Sequence, residues 1–284
     1  MKRIARLSLL GFMAMGVLTS CGKDEKKNEP FEPKEPALQE DYTETAFGMN
    51  LEMVYVKGGT FEMGATAEQG DDANVDEQPI RNVKLDSYHI GKYEITQAQW
   101  RAIMGDDDPI YSYDKGKGDD YPVYYVSWDM AKEFCDKLSE QTGKKYVLPT
   151  EAMWEYAARG GVHNTKTKYA GSNDFEEIAW SRENSYVVGK EHPDYGTHPV
   201  GKKKANALGL YDMSGNVWEW CSDLYEFYDK KDDYNPQGAV EGENRSSRGG
   251  SWMHDAWYCR VSCRQSGLPG ARTGTIGFRV ACLS

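Results

Sequence analysis

Asn206-Ala-Leu-Gly-Leu-Tyr-Asp-Met-Ser-Gly-Asn-Val-Trp-Glu-Trp220 decides how this chain is read. Its brief apolar runs keep neither a sustained helical period nor a long strand alternation. The Gly, Asn and Asp residues are turn formers, and Trp218 and Trp220 bring large apolar surface with a polar handle. Read on its own, the stretch is a turn in which Asp212 caps backbone amides. From residue 160 onward the chain keeps this character. The expectation there is irregular structure held by aromatic packing, with ions or disulfides as further ties.

Upstream the local signals are stronger. Met53-Val-Tyr-Val-Lys-Gly-Gly-Thr-Phe-Glu-Met-Gly64 predicts two short strands meeting in a hairpin at Gly58-Gly59. Val83-Lys-Leu-Asp-Ser-Tyr-His-Ile90 alternates like one half-buried strand. Thr96 with Gln99 forms a capping box for a short helix that Gly105 stops. Ser127 caps a helix from Trp128 to Gln141 with Ala131, Phe134, Cys135 and Leu138 on one face, and Thr150 caps a third from Glu151 to Arg159.

The whole chain has 284 residues, enough for one large domain or two small ones. With 8 Trp, 19 Tyr and 29 Gly, and a mean hydropathy of −0.74, its apolar content sits in large half-polar side chains. Such a composition suits a loop-rich fold of short strands. The formal charge of −11 argues against a nucleic-acid partner, since phosphate binding needs a basic surface. The five His are scattered without zinc-ligand spacing.

Residues 1–20 read as a secretory signal: Lys2, Arg3 and Arg6, then an apolar run too short to span a bilayer. Leu18-Thr-Ser-Cys21 resembles a lipobox, which makes Cys21 the lipidated residue and anchors the chain to a membrane. Residues 21–48 are charged and Pro-rich and read as a disordered tether. Lys23-Asp24-Glu25 resembles the surface-export signal of Bacteroidetes lipoproteins. The expected location is the cell envelope, at the outer membrane on its periplasmic or outer face. Residues 49–284 form the body.

Several blocks of the body, in order, resemble the formylglycine-generating-enzyme (sulfatase-modifying factor) family. They include Met53–Gly64, Tyr93-Glu-Ile-Thr-Gln97, Pro122–Trp128, Leu148–Ala157, the Asn206–Trp220 stretch, Arg248-Gly-Gly-Ser-Trp252 and Gly277-Phe-Arg-Val-Ala281. The resemblance implies an α+β fold related to C-type lectins, with few helices and much irregular structure. It also implies two kinds of member: copper oxidases that convert a sulfatase cysteine to formylglycine, and non-catalytic lipoproteins or ligand binders.

The cysteines weigh between them. The oxidases hold Cu(I), a soft ion that prefers sulfur, between two thiolates. Matching Gly249-Gly-Ser-Trp-Met253 to the family puts the second thiolate at Cys259, but His254 at the first. Ser251, Tyr258 and Trp218 match other active-site positions. Cys135 matches a bridging position whose nearest partner here is Cys282, two residues displaced but on the same strand face. For Cys221 and Cys263 the reading is a buried small hydrophobe, or a bridge to each other or to Cys259.

The family also carries a calcium loop. Its match here gives the Asp212 and Glu219 side chains with the Gly215 and Val217 carbonyls, an oxygen set of the kind calcium takes. The function expected is that of an exported lipoprotein whose C-terminal face, Trp252 to Arg272, binds a protein or glycan. A copper-dependent oxidase acting on sulfatases is the alternative.

Overall fold

The computed structural model describes residues 39–71, 73–105, 116–229, 231 and 233–283. The signal segment, Cys21 and most of the expected tether lie outside them. Along the chain run β1 (Tyr42–Ala46), β2 (Met49–Val56), β3 (Gly59–Met63), β4 (Arg81–Leu85) and β5 (Tyr88–Gly91). Then come α1 (Gln97–Met104), α2 (Trp128–Thr142), β6 (Lys145–Val147), α3 (Glu151–Ala158) and the single turn α4 (Phe175–Ile178). The remaining strands are β7 (Trp218–Leu224), β8 (Asp233–Tyr234), β9 (Arg245–Arg248), β10 (Arg264–Gly267), β11 (Ile276–Gly277) and β12 (Ala281–Leu283). They make three small sheets, ordered β1-β2-β5-β12-β6, β10-β9-β7-β11 and β3-β4-β8. None of the described helices is long and apolar enough to cross a membrane.

The three capped helices form where their caps place them. Thr96 Oγ1 accepts from Gln99 N–H while Gln99 Oε1 accepts from Thr96 N–H, closing both sides of the box. Ser127 and Thr150 each accept from the N–H three residues on, and Gly143 ends α2 in the left-handed conformation.

Three strand expectations need correction. Gly58-Gly59 is no hairpin, because β2 pairs with β1 and β5 whereas β3 pairs with β4, in another sheet. The glycines instead let the chain cross between sheets: a Cβ on Gly58 would stand 2.5 Å from the Leu85 carbonyl oxygen. The single strand expected over 83–90 is two, broken at Asp86-Ser87, with one half in each sheet. The tether ends earlier than residue 48. Tyr42-Thr-Glu-Thr-Ala46 alternates half-buried and exposed and pairs antiparallel with β2.

Two apolar clusters fill the interior, one around Trp154, Tyr156 and Val261, the other around Trp100, Phe134, Trp218 and Phe278. Long loops still bury carbonyls that no ladder satisfies, and buried arginines supply the donors. Arg248 donates to the carbonyls of Val261 and Cys263, and Arg264 to those of Asp76 and Glu226. Arg279 reaches Gly91 and Tyr211. Their charges are met by buried carboxylates, Glu155 and Glu151 for the first two and Glu219 for the third. Aromatic packing alone does not hold the irregular half; a guanidinium–carboxylate frame holds it too.

Candidate functional site

The tight turn after β9 builds the site. Gly250 sits at φ +78, and a Cβ there would stand 2.7 Å from Cys259 Sγ, so the turn closes over that thiol only with glycine. The next residue, Ser251, serves two neighbours. Its backbone N–H faces the Cys259 thiol, and its Oγ lies 2.6 Å from His254 Nδ1. The turn is completed by His254 N–H donating to the Ser251 carbonyl at 3.0 Å.

From β7, Trp218 Nε1–H also donates to His254 Nδ1, at 3.3 Å. An indole N–H is a donor only, so Nδ1 carries the lone pair and the ring proton sits on Nε2. Burial lowers the His254 pKa, which keeps the ring neutral. The rings of Trp218 and Tyr258 stand edge-on to the imidazole, with centroids at 5.6 and 5.4 Å. Trp257 packs on Tyr258 in turn. Ser251, His254, Tyr258 and Trp218 are therefore brought together as the sequence suggested.

Cys259 stands apart in character. It is fully buried, and burial, then the neighbouring Cys263, pushes its thiol far above the usual range. It is a protonated core sulfur at neutral pH. All five described cysteines are free and buried, which corrects the Cys135–Cys282 bridge and any pairing among Cys221, Cys259 and Cys263. The Cys282 thiol lies by the Tyr42 hydroxyl instead.

The sequence profile of the sulfatase-modifying factor enzyme 1-like domain matches residues 39–283. This chain belongs to the formylglycine-generating-enzyme family. It is 32% identical over 257 residues to chaperone protein LppX of Paenibacillus barcinonensis, covering 74% of this chain and 82% of that one. It is 30% identical over 286 residues to a formylglycine-generating enzyme of Streptomyces coelicolor, covering 80% and 88%. Treponema denticola variable protein 1 superposes with a TM-score of 0.72 at 30% identity, over 87% of this chain and 99% of that one. The mixed α+β, C-type-lectin-like fold expected from the sequence is the family's fold.

The family uses copper and calcium. The residues here do not fit copper. Nδ1 of His254 already takes two donors, and the Cys259 thiol lies buried in the core. The calcium loop fits no better. Both Glu219 oxygens are taken by Arg279, at 2.6 and 2.8 Å, and Trp154 Nε1–H adds a bond of 2.7 Å. A cation ligated by Glu219 would press against a guanidinium. Asp212 Oδ2 accepts the Gly201 N–H at 2.7 Å, close to the capping role, while its Oδ1 is buried without a partner. Of the two carboxylates expected with the Gly215 and Val217 carbonyls, only Asp212 keeps an open oxygen. Among the described residues no group of three or more His, Cys, Asp or Glu side chains is placed to hold a metal ion.

Glu94 is what pins this loop, and sequence reasoning missed it. Its oxygens accept from Val217 N–H at 3.0 Å and Asn216 Nδ2 at 2.6 Å. The only hint was its place in the Tyr93–Gln97 block, 123 residues before the Val217 it serves. Burial pushes the Glu94 carboxyl well above its usual range, and Asp212 and Glu219 push it further.

Proposed function

We propose that this chain is an exported lipoprotein, anchored through Cys21, whose domain binds a partner and does not generate formylglycine. The observation that carries the reading is the state of the two copper positions. One is a neutral imidazole whose Nδ1 is spent on Ser251 and Trp218; the other is a buried thiol. A Cu(I) oxidase of this family works through paired thiolates, and this arrangement offers none.

The binding role is supported by the surface beside the site. Met253 and Trp257 are half-buried and Tyr258 is exposed, next to the polar Asp255. Aromatic side chains with short polar neighbours give contact area at low entropy cost, which suits a protein or glycan ligand. Trp252 is buried and packs inward. LppX carries the name of a chaperone protein, which is consistent with such a role. The acidic chain disfavours nucleic acid as the ligand.

Two measurements test this reading. Competition of the purified protein against a Cu(I) chelator should leave the metal with the chelator; tight Cu(I) capture lost in Cys259→Ala would refute it. Cys21→Ala should move the protein out of the membrane fraction, and equal partitioning of variant and wild type would refute the anchor.

A further inference from the structure

At the end of β9 away from the Gly249-Gly250 turn stands Arg245, and its guanidinium differs from those buried in the frame. Arg159, Arg248, Arg260, Arg264 and Arg279 each meet a carboxylate. Arg245 is half-buried, and among the described residues it forms no ion pair. Its one hydrogen bond there runs from Nη1 to the Ser222 carbonyl at 2.8 Å. Its Nε is buried without a hydrogen-bond partner. A buried donor left open costs free energy unless something binds it. Burial draws the Arg245 pKa down, and Asp129 and Asp223 oppose that pull from beyond ion-pair reach.

A stack fixes the group in place. Its central carbon lies 3.7 Å from the centroid of the Trp128 ring. The indole is held in turn, its Nε1–H donating to the Cys221 carbonyl at 2.8 Å. Trp128 is the first residue of α2 and Arg245 the first of β9, so two regular elements hold the pair. A guanidinium locked in this way keeps Nε–H and one Nη2–H parallel along one edge. That edge is the fork a carboxylate takes with both oxygens.

The cleft beside it suits a small ligand. About 240 Å³ lies between α2, β6 and β7, lined by Arg245, Trp128 and Ser222 and by the apolar Cys135, Val147 and Leu148. That is below the roughly 300 Å³ at which drug-sized pockets begin. The other two charges of the lining, Lys132 and Asp136, pair with each other at 2.6 Å. Arg245 is therefore the uncompensated charge of a mostly apolar cleft.

We propose that this cleft binds a carboxylate carried on a slim apolar stem, its oxygens on Nε and Nη2 of Arg245 and its stem along Val147 and Leu148. The carboxylate can belong to a free short-chain acid or to the C-terminus of a partner chain that ends in an apolar residue.

Calorimetric titration of the full-chain protein with n-pentanoate tests the site, with pentanamide as the neutral control. Saturable binding of pentanoate and none of pentanamide is expected. N-acetyl-Ala-Leu with a free C-terminus distinguishes the sources: tighter binding than pentanoate assigns a partner's terminus, weaker binding the free acid. The Arg245 Nε–H resonance, identified in a proton–nitrogen correlation spectrum by its loss in Arg245→Lys, should move as pentanoate binds. Arg245→Lys keeps the charge but loses the fork, and should weaken binding about ten- to a hundred-fold, the scale of a lost charge-assisted bond. Lys132→Ala, on the exposed side of α2, should change binding less than about fivefold. Equal binding of pentanamide, or an Arg245 Nε–H that stays put at saturation, would overturn the proposal. So would a loss in Lys132→Ala as large as in Arg245→Lys.

Discussion

Ser251 Oγ lies 2.6 Å from His254 Nδ1, and the same ring nitrogen takes the indole N–H of Trp218. One ring nitrogen of the imidazole that stands at the first thiolate position is thus committed to the protein. The family's active-site position has become a hydrogen-bond post that orients an imidazole between two aromatic rings.

The loop Asp212–Glu219 should be held by buried charge pairing, not by calcium. Glu219→Gln leaves Arg279 facing a neutral amide in the core and should cost about 3–5 kcal/mol, the usual penalty for breaking a buried pair. Urea unfolding measures it. A calcium chelator should leave the wild-type melting temperature where it was; a drop of several degrees would restore the calcium reading.

Asp212 gives a pH signature. Burial pushes its carboxyl up to about 6 from 3.8, against the opposing pull of the Gly201 N–H and Arg279. The folded state therefore holds this proton more tightly than the unfolded chain. Its contribution is complete below about pH 4 and is lost as pH rises through 6. Asp212→Asn, which can still accept from Gly201, should gain on the wild type as pH rises from 4 to 7, by up to about 3 kcal/mol. A gap that stays constant over that range would show that Asp212 does not titrate as described.

The short capped helices were legible from the sequence because capping is local: Thr96, Ser127 and Thr150 each bond within three residues. Strand partners were not. Gly58-Gly59 carries the same turn chemistry whether the next strand folds back or crosses to another sheet, and only the long-range pairing of β3 with β4 decides. The cluster of Ser251, His254, Tyr258 and Trp218 was legible through resemblance alone. What the sequence hid was the duty of buried charges. A Glu219 read as a calcium ligand and one read as the partner of Arg279 are the same letter, and the two lie 60 residues apart.

The free thiols make a direct count. Cys135, Cys221, Cys259, Cys263 and Cys282 are all buried. In the folded protein none should react readily with an aromatic disulfide reagent, and in denaturant without reductant all five should, apart from Cys21. A count of three would reveal a bridge, with Cys135–Cys282 the first pair to map.

Conversion of a sulfatase-motif peptide, followed by mass spectrometry after copper loading, bears most directly on the absence of oxidase activity. The wild type should leave the peptide cysteine unchanged, at the level of a Cys259→Ala control. Multiple turnovers to formylglycine by the wild type, abolished in Cys259→Ala, would contradict the account and make His254 a working copper ligand.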